Sequence, residues 1–255
     1  MKIGIVGHGV MGELVAENAL NRGHEIGVII DHAYENADYK NLAHLSLKDA
    51  DKFDVLIDFS SPETVLENIK QACRLQKPLV MATTGWYEHL EKARKIVEKA
   101  GIGFMWGSNF SVGVNLFWQV LEQASSLLAN QKDYDVFMHE FHHKRKKDSP
   151  SGTALTTAHK ILANYPKKEK VITQTLDRPI AENELHVTST RGGYVPGTHK
   201  VFFDSAFDTI EISHTARSRE GFAIGAIMAS EWLKDETGFY DFAKIFSKIT
   251  NHLNQ

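Results

Sequence analysis

Two histidines, a run of four cations and a serine-glycine turn fall together where the chain reads Glu140-Phe141-His142-His143-Lys144-Arg145-Lys146-Lys147-Asp148-Ser149-Pro150-Ser151-Gly152-Thr153-Ala154. The segment leaves a strand-like stretch, crosses a cationic loop and enters a helix. Pro150 to Thr153 read as the helix start, with the hydroxyl of Ser151 or Thr153 as its cap. The N–H groups of such a start, at the positive end of the helix dipole, form an anion site. Imidazoles exchange protons near neutrality. A loop of this composition attracts a carboxylate-bearing metabolite and can deliver a proton to it. The plainer alternative is a solvated basic loop or a small nucleic-acid patch. His139-Glu140-Phe141-His142-His143 also fits H-E-x-x-H, a zinc-protease pattern that works only on a helix. Here Val136 and Met138 alternate with Asp135 and His139 at period two. That predicts a strand, no third ligand is evident, and no metal is expected.

A second group of residues suits a nicotinamide dinucleotide. Gly7-His8-Gly9-Val10-Met11-Gly12 is a G-x-G-x-x-G between an apolar run and a helical pattern. Gly7 allows the tight turn, Gly9 lets the backbone approach a pyrophosphate, and Gly12 lets the helix pack on the strand. Asp31 ends the second apolar run, 19 residues past Gly12, where a carboxylate can accept both ribose hydroxyls of an adenosine. It repels a 2′-phosphate, and the next residue is His32 rather than arginine, so NADH is expected over NADPH. Ala82-Thr83-Thr84-Gly85 and Gly107-Ser108-Asn109-Phe110 end two further strands on the same edge, where ligands of an open parallel sheet bind. Thr83, Thr84 and Asn109 can equally be turn residues.

The elements that must position these groups follow from periodicity. Apolar runs at Lys2–Val6, Glu25–Ile30, Phe53–Ile57, Pro78–Ala82 and Ile102–Trp106 alternate with helical patterns at Gly12–Asn21, Pro62–Leu75 (capped by Ser61) and Trp86–Ala100. Strand and helix in alternation predict a Rossmann-like, doubly wound parallel sheet. After Asn109 the pattern changes. Val112–Leu128 and Leu155–Leu162 read as helices, and Tyr134–Glu140, Leu185–Thr190, Lys200–Phe203 and Thr209–His214 as strands. These predict a second α+β domain with an open mixed or antiparallel sheet. Helices at Phe222–Lys234 and Tyr240–Leu253 end the pattern. The expected division is a dinucleotide domain of residues 1–111 and 221–255, and a substrate-binding and oligomerisation domain of residues 112–220.

Composition sets the limits. The 255 residues are 42% hydrophobic, enough for a packed interior, and the net charge of −3 excludes a global attraction to nucleic acid or to an anionic membrane. No apolar run approaches the ~18 residues of a membrane helix. The first residues reach glycine too early for a signal peptide, so a cytoplasmic protein is expected. Cys73 is the one cysteine and lies among helically spaced apolar residues, which predicts a packed thiol.

The Glu140–Ala154 segment resembles the signature E-x-H-H-x-x-K-x-D-x-P-S-G-T-A of the 4-hydroxy-tetrahydrodipicolinate reductase family, formerly called dihydrodipicolinate reductases. The resemblance extends through Asp58-Phe59-Ser60-Ser61-Pro62-Glu63, Thr83-Thr84-Gly85, Asn109-Phe110-Ser111-Val112-Gly113-Val114-Asn115, Arg191-Gly192-Gly193 with Gly197-Thr198-His199, and the stretch from His214 to Ala226. It implies reduction of a small cyclic imine dicarboxylate, with loss of water, to tetrahydrodipicolinate in diaminopimelate and lysine biosynthesis. It also implies a homotetramer built through the second domain's sheet. His142 is implied as proton donor or acceptor and Lys146 as the second proton donor. His143, Ser151, Gly152 and Thr153 are implied at the substrate. Gly7 to Gly12, Asp31, Ala82 to Thr84 and Gly107 to Phe110 are implied at the cofactor. The glycine loop departs from the family's G-x-x-G-R-M-G by one residue and by Val10 in place of arginine, which again favours NADH. Two rivals lack a need for these residues. A relative of aspartate or homoserine dehydrogenase would not require the Glu140–Ala154 block, and a dinucleotide sensor would not require His142 and Lys146 together.

Overall fold

The apolar runs of the first half become parallel strands, and the glycines between them become turns. A computed structural model describes residues 1–253. In chain order, β1 (Lys2–Val6), α1 (Val10–Asn21), β2 (Glu25–Ile30), β3 (Val55–Asp58), α2 (Val65–Leu75), β4 (Leu79–Met81), α3 (Leu90–Ala100) and β5 (Gly103–Trp106) form the first stretch. They are followed by α4 (Val112–Ala129), β6 (Asp135–His142), α5 (Gly152–Asn164), β7 (Lys170–Ile172), β8 (Glu184–Arg191), β9 (Thr198–Asp204) and β10 (Thr209–Thr215). The last elements are α6 (Glu220–Leu233), β11 (Gly238–Asp241) and α7 (Phe242–Leu253). The chain divides into two units, Met1–Val112 with the segment from Arg219 onward, and Gly113–Ser218.

The first unit holds a six-stranded sheet in the order β11-β5-β4-β3-β1-β2, parallel throughout. Alternate side chains of each strand feed opposite faces. Val55 and Ile57 join one apolar cluster with residues of α1, α6 and α7, and Leu56 joins another with residues of α2 and α3. Helices therefore cover both faces, as a doubly wound sheet requires. The second unit holds a five-stranded sheet in the order β10-β9-β6-β8-β7. β6 runs parallel to β8 and antiparallel to β9, so the sheet is mixed. Along β6 the even-numbered residues from Val136 to His142 are buried and the odd ones are exposed or half-buried. Trp118 of α4 donates to Thr157 of α5 at 2.9 Å, tying the two helices together.

Three local expectations change. The helix expected from Tyr240 begins at Phe242, because Gly238–Asp241 pairs with β5 as an edge strand and Phe239 stacks on Phe104 at 4.9 Å. Four residues at an edge carry too little periodicity to be read. β7, three residues long, is unread for the same reason. Ser61 does not cap a helix. Pro62–Thr64 form a 3-10 turn without a side-chain cap, and the Ser61 hydroxyl bonds Glu63 instead.

Candidate active site

In the first unit the glycine loop turns tightly between β1 and α1. Gly7 has φ +85°, and a Cβ there would lie 2.6 Å from the Phe59 carbonyl oxygen. A Cβ on Gly12 would lie 2.2 Å from the Gly7 carbonyl oxygen, whereas one on Gly9 would meet nothing within 4 Å. Gly9 also starts α1 without a capping side chain. An open backbone at a helix N-terminus is a cradle for a pyrophosphate. His8 donates its N–H to Asp31 at 2.7 Å, and Ala33 and Tyr34 donate theirs at 2.7 and 2.8 Å. Burial raises the Asp31 carboxyl, but these three donors outweigh it and hold the group below its ordinary range. An ionised carboxylate beside the glycine loop fits a ribose diol.

A cavity of about 300 Å³ lies along the strand ends, lined by Met11, Ala82, Thr84, Gly107, Ser108, Asn109 and Phe110, with Phe59, Arg219 and Phe222. The last three carried no expected cofactor role. Arg219 and Phe222 come from the start of α6, and only the fold returns them to this edge. Val10 is exposed beside the loop. The Thr83 hydroxyl donates to the buried Asp58 at 2.9 Å, so its side chain serves the turn. Asn109 does both, lining the cavity and accepting the Ser111 N–H at 2.8 Å. These residues fit a nicotinamide dinucleotide.

The second unit gathers the Glu140–Ala154 chemistry around a carboxylate. Glu140 is fully buried. Its Oε1 accepts from the Ser151 N–H at 2.9 Å, the Ser189 hydroxyl at 2.8 Å and Arg191 Nη2 at 2.7 Å. Its Oε2 accepts from the Ser151 hydroxyl, with His142 Nδ1 at 3.3 Å and His199 Nε2 at 3.4 Å. Strand register causes this grouping, because Glu140 lies opposite Ser189 on β8 and His199 on β9. Ser151, not Thr153, caps α5, and its Oγ accepts the Ala154 N–H at 3.1 Å. Ser151 is thus buried, with its hydroxyl engaged by Glu140 and the cap. Gly152 is exposed and Thr153 half-buried at the helix start. Lys146 pairs with Asp148 at 2.8 Å, and Lys144 lies over the Tyr194 ring. Glu140, His142 and His199 lie within 4.8 Å of one another, a spacing a metal ion can use. However, three donors fill Oε1, and the guanidinium that supplies one of them repels a cation.

Burial pushes the His142 imidazole down to about 4; the Glu140 carboxylate opposes this, and Lys146 and Arg191 add to it. His142 is therefore neutral at pH 7. Glu140 is raised by burial, yet His199, Ser151, Arg191 and Ser189 hold it well below the carboxylate range, so it stays ionised. A stability consequence follows. Between pH 6.5 and about 4 the unfolded chain binds a proton that folded His142 refuses, so this contribution is complete above pH 6.5 and is lost as pH falls through that window. The loss is on the order of 3 kcal/mol. Urea titrations at pH 7 and pH 4.5 are expected to show a lower midpoint in acid. His142→Gln is expected to flatten the dependence. His139 and His214, also lowered by burial, add to the slope.

The structure thus brings His142, Lys146 and the α5 start into one segment. Sequence reasoning gave no role to Glu140, Ser189, Arg191 and His199. The R-G-G and G-x-H spacings were the available signal, because Gly197 precedes the β9 strand whose His199 faces Glu140.

Residues 1–110 match the family model described as "Dihydrodipicolinate reductase, N-terminus", and residues 113–246 match "Dihydrodipicolinate reductase, C-terminus". A 4-hydroxy-tetrahydrodipicolinate reductase of Christiangramia forsetii is 39% identical over 98% of this chain and 99% of that protein. Another from Archaeoglobus fulgidus is 37% identical over 94% and 97%. Among solved structures, a dipicolinate-bound dihydrodipicolinate reductase from Paenisporosarcina sp. TG-14 shares the fold. Its TM-score is 0.77 and its identity 21%, over 96% of this chain and 99% of that one.

Proposed function

The chain belongs to the dihydrodipicolinate reductase family, and from that premise we propose how its residues divide the work of the reaction. The reaction is the NAD(P)H-dependent reduction of 4-hydroxy-tetrahydrodipicolinate to tetrahydrodipicolinate, with loss of water, in diaminopimelate and lysine biosynthesis. The observation that carries the residue-level reading is a buried His142 against the Glu140 carboxylate, with a half-buried Lys146 in the loop that leads to α5.

The substrate is a small cyclic dicarboxylate. The Gly152 and Thr153 end of α5, with His143 and the loop lysines, holds a carboxylate. Neutral His142 accepts a proton from the ring carbon beside the hydroxyl-bearing one, and Lys146 gives a proton to the departing hydroxyl, which leaves as water. When bound, the nicotinamide supplies a hydride. Charge left on the conjugated ring is stabilised by the nearby cations, and His142 returns its proton to the carbon it came from. Ser151 acts by capping α5. Gly7, His8, Gly9, Val10, Met11, Gly12 and Asp31 hold the adenosine and pyrophosphate. Ala82, Thr84, Gly107, Ser108, Asn109 and Phe110 hold the nicotinamide half, and the Thr83 hydroxyl braces their turn on Asp58.

The test couples the purified chain to the synthase that condenses pyruvate with aspartate semialdehyde. Loss of NADH absorbance must depend on both proteins, and a folded chain that gives none overturns the reading. Asp31 and the uncharged Val10 favour NADH. Its kcat/KM is expected to exceed that of NADPH by about tenfold, since a carboxylate facing a 2′-phosphate costs on the order of 1 kcal/mol. A clear NADPH advantage removes that part.

The assembly proposed is a homotetramer through the second sheet. There Phe137, 39% exposed, stacks on Phe202 and leaves apolar surface to cover. The proposed place of work is the cytoplasm. No helix among the described residues is long and apolar enough to cross a membrane, and no nucleic-acid partner is proposed.

A further inference from the structure

We propose that Glu140 is the positioning residue of the site, holding the His142 ring with its proton on Nδ1 so that Nε2 is the atom that exchanges a proton with substrate. The inference rests on the catalytic reading of His142 above and adds which nitrogen acts and what sets it.

Three observations carry it. The first is cost. A fully buried carboxylate is expensive unless charged or polar partners surround it. Here a Ser151 N–H, two hydroxyls, a guanidinium and two imidazoles converge on it. A mixed sheet can pack an apolar side chain at that position with none of this. The second is register. Ser189, Glu140, His199 and His214 are successive partners across β8, β6, β9 and β10. His142 lies two residues further along β6 on the same buried face. The carboxylate is thus held from both neighbouring strands, and Ser151 fixes it from the start of α5. It cannot follow the imidazole, so the imidazole must conform to it.

The third is the environment of the two ring nitrogens. Nδ1 of His142 is buried, lies 3.3 Å from Glu140 Oε2 without hydrogen-bond alignment, and has no hydrogen-bond partner among the described residues. The nitrogen facing a carboxylate keeps the proton, and the other becomes the acceptor. Its alignment is looser than ideal, as catalytic hydrogen bonds are before substrate tightens them. Nε2 faces Gly197, where a Cβ would lie only 2.9 Å away. A side chain at this position would displace the ring, so glycine is what lets His142 keep the orientation that turns Nδ1 to Glu140.

The groups facing His142 are Glu140, His199, Lys146 and Arg191. Of these, Glu140 is the carboxylate that lies beside Nδ1, at 3.3 Å. Arg191 also donates to the Asp148 carbonyl at 2.7 Å, which links the carboxylate to the loop carrying Lys146.

A neutron crystal structure of the full chain with NADH reads the proton directly. Density on Nδ1 of His142 is expected, and density on Nε2 alone overturns the proposal without any variant. In solution, Glu140→Gln is expected to lower kcat at least about 10²-fold. The KM for substrate should stay within about threefold, as should the NADH dissociation constant read by protein fluorescence. A folded Glu140→Gln enzyme with kcat within threefold of wild type overturns it. If Glu140→Gln does not fold, the proton position in the wild-type crystal decides. Wild-type protein inactive in the coupled assay refutes the reaction instead, and the Nδ1 measurement still reports on Glu140.

Discussion

Replacing Lys146 or His142 with alanine is expected to lower kcat by about 10²- to 10⁴-fold, the range that removal of a positioned acid or base produces, and to leave NADH binding nearly intact. The two losses are expected to differ in character. Lys146 is half-buried and its ammonium pairs with Asp148 at 2.8 Å. Its removal takes away both a proton and a positive charge near the developing anion. His142 is 7% exposed, so His142→Ala also leaves a gap beside Glu140 and loses stability, which thermal unfolding will register. His142→Gln preserves most of the volume and separates the two effects. Stopped-flow NADH binding with steady-state kinetics provides the check. If NADH affinity falls as far as kcat in either variant, the roles assigned here are wrong.

The second large effect separates two glycines that one motif treats alike. Gly9→Ala is expected to leave the unfolding midpoint unchanged and weaken NADH binding by about tenfold or more. Beyond its own chain neighbours and helix backbone, no described atom lies within 4 Å of the added methyl, so what it meets is a bound ligand. Gly12→Ala places its Cβ 2.2 Å from the Gly7 carbonyl oxygen. Backbone cannot yield cheaply there, and α1 must move off β1. Loss of NADH binding together with a stability loss of roughly 1–3 kcal/mol is expected. Urea unfolding and fluorescence titration of both variants test the pair. Equal stability of Gly9→Ala and Gly12→Ala would show that the loop is not packed as described.

Much of the nucleotide half was legible because its signals are local. A strand, a glycine turn and a helix start follow one another within Lys2–Asn21, and each residue type answers a backbone need of its immediate neighbours. The same holds for Ser151, whose position before Gly152 and Thr153 marks a helix start from sequence alone. The mixed second sheet was legible in kind, since its strands follow one another without crossover helices. Edge strands β7 and β11 were not, because three or four residues hold no measurable period and gain their hydrogen bonds only from a neighbour far along the chain.

The amino-acid sequence by itself determined the chemistry available to this protein: the glycine cradle, Asp31 at a strand end, and two imidazoles and a lysine before a helix start. Those depend on spacing over a few residues. The tertiary structure alone decided how that chemistry is set. It brought Ser189, Arg191 and His199 onto Glu140 by strand register, returned Arg219 and Phe222 to the cavity at the strand ends, and engaged the hydroxyls of Thr83 and Ser151 with Asp58 and Glu140. Burial then did what spacing cannot. Taking His142 and Glu140 out of water left the imidazole neutral, while the donors gathered by register kept the carboxylate charged, and those charge states fix which group can accept a proton and which can give one.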